Sequence, residues 1–206
     1  HGHLWECDRS VPFIISTMIT AKDRQPIGSC FMKLISFIIP CYCSQDTLET
    51  VVCEITDTMS QLSAYQYEVI LVNDCSPDQT FAVITSLAKR YCNITGIDLA
   101  KNFGQHAALM AGFRQARGEI IICLDDDGQT PADEAGKLLE KIEQGYDVVY
   151  ASYKNKRHSG FRNWGSRINS RMTEIMLDKP RDLSITSYFA MRRYVMDELL
   201  RYEQCY

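Results

Sequence analysis

Short, almost wholly apolar runs alternate with longer stretches of helical spacing along this chain, and that rhythm limits its fold more than any other feature. LISFIIP (34–40), YEVILVN (67–73) and EIIICLD (119–125) are too short for buried helices and too apolar for strands with one wet face, and NITGIDLA (93–100) follows in the same pattern. Strands covered on both faces have this composition, and joining them through helices makes a mostly parallel sheet. The spacing predicts helices over 45–62, 78–91, 102–117 and 131–145. Ser76, Pro77 and Asp78 open the second of these and Gly118 closes the third. The fourth carries Pro131 in its first turn and Gly145 just past its end. YDVVYAS (146–152) then resumes the sheet. The expected class is α/β, with a Rossmann-like, mostly parallel central sheet flanked by helices.

The chain has 206 residues, enough for one large domain with its own core. Apolar residues at 46% and charged ones at 23% exclude a disordered or fibrous chain. No run reaches the roughly eighteen apolar residues of a membrane span. Nine cysteines, at 7, 30, 41, 43, 53, 75, 92, 123 and 205, form no regular framework and no C-x-x-C pair. Cys41, Cys75 and Cys123 lie in or beside apolar runs, where cysteine acts as a small hydrophobe, so a reducing, cytoplasmic setting is expected. The stretch before Phe31 lacks sustained periodicity, whereas Met32 precedes a basic residue and a clean strand. Met32 is therefore read as the native start, with residues 1–31 as a non-native or disordered leader. ELLRYEQCY ends the chain without a cap, and 32–206 reads as one catalytic domain truncated at its C-terminus.

Chemistry in open α/β sheets gathers at the carboxyl ends of the strands. Three such ends carry unusual residues here: PCYC (40–43), NDCSPDQT (73–80) and LDDDGQTPAD (124–133). The third is the sharpest. Adjacent carboxylates repel, so Asp125, Asp126 and Asp127 need cations, water or hydrogen-bond donors to remain ionised. Alternation along extended chain points Asp125 and Asp127 the same way, with Gln129 next in line as a neutral oxygen ligand. Mg2+ or Mn2+ suits such a site, taking a few protein oxygens and completing its shell with water and phosphate. A solvated turn and a calcium loop built on DDDG and Glu134 are the competing readings, although the second register would put Cys123 at the first ligand position. Asp74 is open to two readings, as a turn or capping residue and as part of a site shared with the other strand ends. In NFGQHAALMAGF (102–113), Gly104 permits close backbone approach to an anion, while the alanines suit tight helix packing and His106 suits a structural polar role.

A net charge of −4 conceals one basic stretch. KNKRHSGFRNWGSRINSR (154–171) holds six Lys or Arg, one His and no acid. Phe161, Trp164 and Ile168 recur at three- and four-residue spacing, which describes an amphipathic helix with a cationic face, suited to anionic lipid headgroups. A merely solvated basic helix is the competing reading. Nucleic acid is excluded as a partner by the acidic remainder of the chain.

Taken together, PCYC, VNDCSPDQT, NFGQHAALMAGF and ARGEIIICLDDDGQTPAD resemble the ordered motifs of the family-two glycosyltransferases of GT-A fold. They are most similar to the branch that loads sugars onto polyprenyl phosphate, which includes dolichyl-phosphate mannose synthase and the undecaprenyl-phosphate glucosyl- and aminoarabinose-transferases. The resemblance runs from about Lys33 to Leu200. It implies that Pro40 and Tyr42 line the base and ribose of a nucleotide and that Asp74 holds the uracil or guanine ring. Asp125 and Asp127 match a D-x-D pair around metal and diphosphate, joined by Gln129. Arg162 and Ser166 match an Arg-x-x-x-Ser pair on the acceptor phosphate, and Lys154 or Arg157 stands in for an arginine whose usual place is taken by Tyr153. Asn73 replaces a common aspartate, Cys43 a common Asn or Glu, and Phe189 the arginine usual in the acceptor-side strand around 182–191.

The resemblance therefore implies an inverting, Mg2+- or Mn2+-dependent transfer from a UDP- or GDP-sugar to a polyprenyl phosphate. The enzyme would sit peripherally on the cytoplasmic face of a membrane, in a chain that relatives extend with C-terminal membrane helices, and a homo-oligomer is compatible with it. Cleavage of the donor builds charge on the departing diphosphate, which a metal on Asp125 and Asp127 offsets. A lipid phosphate is already ionised at neutral pH, so positioning by Arg162 outweighs a general base. A sugar hydroxyl as acceptor, in cell-surface polysaccharide synthesis, would need a base, for which Asp182 is the candidate. A nucleotide-sugar-binding fragment without turnover is the remaining alternative. A dinucleotide reductase is disfavoured because no G-x-G-x-x-G follows the first strand.

Overall fold

A computed structural model describes residues 13–15, 32–128, 132–153 and 187–201. The chain divides into a larger compact unit, residues 18–149 and 187–206, and a smaller one, residues 1–17 and 150–186. In the smaller unit the described residues form a short ladder: β1 (Phe13–Ile15) runs antiparallel to the end of β6 (Val148–Tyr153), with Phe13 opposite Tyr153 and Ile15 opposite Ala151.

The larger unit is built on β2 (Lys33–Cys41), α1 (Leu48–Gln61), β3 (Tyr65–Asn73), α2 (Thr80–Arg90), β4 (Ile94–Asp98), α3 (Gln105–Gln115) and β5 (Ile120–Cys123). A 3-10 turn (Ala132–Glu134) leads into α4 (Ala135–Glu143), and after β6 come β7 (Phe189–Arg192) and α5 (Arg193–Arg201). The strand order is β7-β5-β2-β3-β4. β2, β3, β4 and β5 are parallel, and β7 runs antiparallel along β5. The expected mostly parallel α/β sheet is thus present.

The apolar runs occupy the middle of the sheet, as their composition requires. All four residues of β5 are buried, and β2 is buried from Ile35 to Cys41. On one face Ile38, Ile70, Val72, Ile121 and Cys123 pack with Ala108 and Phe113 of α3, Met191 of β7 and Met196 of α5. The alternate residues Phe37, Ile39, Val69 and Leu71 are equally buried, so both faces are covered. Gly112 of α3 lies so close to β2 that an added Cβ would stand 2.4 Å from a methyl of Ile38, which leaves that position to glycine. Gly145, expected just past the fourth helix, takes a left-handed φ of 102° two residues beyond α4.

Three helices start three or more residues later than the spacing-based reading. α3 begins at Gln105 rather than Asn102, because Gly104 stands at φ 89° and the two amides before the helix are held elsewhere. α4 proper begins at Ala135, after the 3-10 turn. α1 starts at Leu48, three residues later than predicted.

At the amino end of the strands a polar clasp ties the sheet to the turn between α3 and β5. Ser36 and Glu68 are register partners on β2 and β3, and the Ser36 hydroxyl donates to Glu68 Oε1 at 2.7 Å. The backbone N–H and the guanidinium of Arg117 also donate to Glu68, and the Gly118 N–H donates to Ser36 Oγ at 2.7 Å. Burial alone would push the Glu68 carboxyl up, but these donors outweigh it and hold it below the usual glutamate range. Replacing Glu68 with alanine orphans these donors and should cost about 2 kcal/mol in urea unfolding at pH 7. A carboxyl held low in the folded state stabilises above the unfolded value of about 4.3 and loses that contribution as pH falls through the folded one. The stability gap between wild type and Glu68→Gln should therefore shrink when the titration is repeated below about pH 4.

Candidate functional site

Parallel register brings the carboxyl ends of β2, β3 and β5 together. Cys41 of β2 pairs with Asn73 of β3, and Ile38 pairs with Cys123 of β5. Three residues further on, Cys41 and Asp126 stand level, which sets the PCYC loop between Asp74 and the acidic turn. Pro40 is the penultimate residue of β2, opposite Val72, and Tyr42 just beyond the strand is half exposed.

Asp74 is 3% exposed and fully engaged. Its Oδ1 accepts the Phe103 N–H and its Oδ2 accepts the Gly104 N–H, both at 2.8 Å. One side chain at the tip of β3 therefore shapes the whole loop between β4 and α3, and leaves the Phe103 ring exposed beneath the Lys101 ammonium, 4.8 Å from its centroid. Beside it, Asn73 Nδ2 donates to Asp98 Oδ1 at 2.7 Å and Asn73 Oδ1 accepts the Ser76 N–H. An aspartate at 73 would set two carboxylates against each other, so the amide suits its partner.

The three consecutive aspartates divide their work. Asp125 is half-buried. Its Oδ1 accepts the Gln105 amide at 3.2 Å, and its Oδ2 accepts a short hydrogen bond from the Ser187 hydroxyl. Both partners are neutral, so no cation of the described residues cancels its charge. Asp126 turns back toward β2, where its Oδ2 accepts the Tyr42 N–H at 2.9 Å. Burial pushes the Asp126 carboxyl above the usual range, the Tyr42 amide pulls it down, and the neighbouring Asp125 charge adds to the rise. Asp127 is half-buried beside the exposed Gly128, whose φ of 67° turns the chain.

Among the described residues no group of three or more His, Cys, Asp or Glu side chains is gathered as a metal cage. Two carboxylates at one strand end, one of them without a cationic partner among the described residues, nevertheless fit a hard divalent ion that takes few protein oxygens and fills its shell with water and phosphate.

Neither Gln105 nor Ser187 is singled out by sequence reasoning. Ser187 lies 62 residues beyond Asp125 in the chain, and antiparallel register brings it back: Cys123 faces Phe189, so two residues further on Asp125 faces Ser187. Gln105 follows from the delayed start of α3. Of the cysteines, Cys41 and Cys123 are buried as expected, and burial drives both thiols well above their ordinary range. Cys75, expected as a buried hydrophobe, is instead exposed at φ 52°, because the chain turns sharply once β3 ends at Asn73. Cys43 is likewise exposed at φ 56°. Gln129, Lys154, Arg157, Arg162, Ser166 and Asp182 lie outside the described residues.

The profile of glycosyl transferase family 2 matches residues 36–200. A protein of Pseudomonas fluorescens (strain SBW25) named undecaprenyl-phosphate 4-deoxy-4-formamido-L-arabinose transferase is 37% identical over 171 residues, covering 81% of this chain and 49% of that protein. The chain thus spans about half the length of the curated relatives it matches. Among solved structures, the mannosyltransferase PcManGT of Pyrobaculum calidifontis, in complex with GDP-Man and Mn2+, is similar at TM-score 0.56 and 19% identity, over 82% of this chain and 47% of that one. Mannosyl-3-phosphoglycerate synthase of Rubrobacter xylanophilus is similar at TM-score 0.61 and 15% identity, over 82% and 62%. At such identities the likeness speaks for the fold, and that fold is the expected GT-A architecture.

Asparagine offers one acceptor oxygen where Asp74 uses two. Asp74→Asn should therefore destabilise by about 2 kcal/mol in chemical denaturation, and Asp74→Ala, which orphans both amides, by more. Wild-type stability in the asparagine variant would show that one of the two amides is satisfied without it.

Proposed function

The chain belongs to glycosyl transferase family 2, and on that premise we propose that it carries the donor site of an inverting, metal-dependent transferase that moves a sugar from a nucleoside-diphosphate sugar to a polyprenyl phosphate. The observation that carries this reading is the Asp125 carboxylate, held at the tip of a central strand by neutral donors from α3 and from the segment before β7, with its charge left for a ligand. The relatives named for undecaprenyl phosphate support the acceptor class, and the solved relative holding GDP-Man and Mn2+ supports a sugar-nucleotide donor with a divalent ion.

Each residue then has a physical task. Pro40 and the half-exposed Tyr42 line the base and ribose. Asp74 holds the loop carrying Phe103 and Gly104, and by that loop it would shape the place of the ring of a UDP or GDP donor. Asp125, Asp127 and Gln129 would hold Mg2+ or Mn2+, which when bound offsets charge developing on the departing diphosphate. Arg162 and Ser166, with Lys154 and Arg157, grip the acceptor phosphate and align its oxygen behind the anomeric carbon. One displacement in line with the departing diphosphate inverts that carbon. Because the acceptor oxygen is already ionised, Asp182 is needed as a base only for a hydroxyl acceptor. No helix among the described residues is long and apolar enough to cross a membrane. The basic stretch 154–171 would meet anionic headgroups at the cytoplasmic face, where donor and lipid phosphate come together.

The reading is tested with UDP- and GDP-sugars offered to the chain together with undecaprenyl phosphate in vesicles. Transfer should stop on chelation and return with Mn2+. Asp127→Ala should lower the rate at least about 100-fold with an unchanged circular dichroism spectrum, as loss of a group stabilising the transition state does. Full activity in that variant removes Asp127 from the site. Arg162→Ala should raise the KM for lipid phosphate about tenfold while leaving the donor KM near wild type. An equal rise in both contradicts its assignment to the acceptor.

A further inference from the structure

Asp126 has no task in the reaction as drawn, yet the fold holds it at two points. Its side chain and its main chain both bond to the loop between β2 and α1. At one end of that loop Tyr42, the first residue past the β2 ladder, donates its N–H to Asp126 Oδ2 at 2.9 Å. At the other end the Thr47 hydroxyl donates to the Asp126 carbonyl at 2.5 Å.

Thr47 is the N-cap residue of α1, a position where threonine ordinarily accepts an N–H from its own helix, but here it makes no capping bond. Its hydroxyl is directed at the acidic turn and at the Ser44 carbonyl, 3.3 Å away. A third carboxylate beside Asp125 and Asp127 raises the charge repulsion of the turn. The opposing gain is a partner for the Tyr42 amide, which β2 leaves unpaired where its ladder stops.

From this double attachment we infer that Asp126 is a positioning residue, fixing Tyr42 and the flanking Asp125 and Asp127 in one frame so that base, ribose and diphosphate are met together. The inference rests on the donor-site reading above and adds to it a residue that touches no reacting atom. The neighbours of Asp126 across the frame are Cys41, Tyr42, Ser44, Thr47 and Asp125. Losing the side chain would free the end of β2 while leaving the core strands untouched, since β5 ends at Cys123 and β2 at Cys41.

The test compares wild type, Asp126→Ala and Asp126→Asn in calorimetric titrations with UDP and with GDP in the presence of Mn2+, alongside hydrogen exchange of the Tyr42 amide. Asp126→Ala should weaken binding of the preferred nucleotide about tenfold and speed Tyr42 exchange by a similar factor, the expected loss for one bond to a charged acceptor. Asp126→Asn keeps an acceptor oxygen and should stay within about threefold of wild type on both readouts. Thr47→Val, which removes the second attachment, should weaken the nucleotide severalfold with the Tyr42 amide still protected. If Asp126→Ala binds nucleotide like wild type, or loses only thermal stability, the positioning role is overturned. If the wild type binds neither nucleotide, the donor-site reading fails and this inference falls with it, a result distinct from equal binding by wild type and variant.

Discussion

The parallel seating of β2 between β3 and β5 is the constraint on which the rest depends. It fixes which residues meet where the strands end. Cys41 leaves the ladder level with Asn73 and three residues past the Ile38–Cys123 pair, so Tyr42, Asp74 and Asp126 emerge at one edge of the sheet. A slip of one residue would turn Ile38, Ile70 and Cys123 away from α3 and α5, a cost spread over the whole core. Burial of the apolar runs thereby holds the polar loops in register.

Buried or half-buried carboxylates recur at both ends of this sheet, and each is stabilised differently. At the amino end Glu68 has a hydroxyl, an amide and a guanidinium, and is held ionised. At the carboxyl end Asp74 has two amides and Asp126 has one, and both brace loops. Among the described residues Asp125 has the neutral Gln105 and Ser187. A carboxylate with a built surround and no opposing charge is the one that gains most from an incoming cation.

Much of this organisation was legible in the residues. The unbroken apolar runs located β2, β3 and β5, Gly145 marked the end of α4, and the mostly parallel sheet followed from the alternation itself. Motif order also identified the family, since four loosely specific motifs at fitting intervals between 40 and 133 fall within the family match at 36–200. The start of α3 was misplaced because helical spacing continues back through Phe103, and only the two amides taken by Asp74 stop the helix there. The exposure of Cys75 was missed for a related reason: a left-handed residue past the end of a strand leaves no periodic trace.

The sequence alone determined the class of fold, the strand ends at which chemistry gathers, and the residue types found there, because burial and strand alternation are local consequences of side-chain chemistry. Tertiary structure decided how the three aspartates differ. Asp125 faces Ser187 because β7 returns antiparallel to β5, and Asp126 faces Tyr42 because β2 lies beside β5. Both facts rest on pairings between residues dozens of positions apart, which hydrogen bonds across the sheet select and which no local pattern encodes.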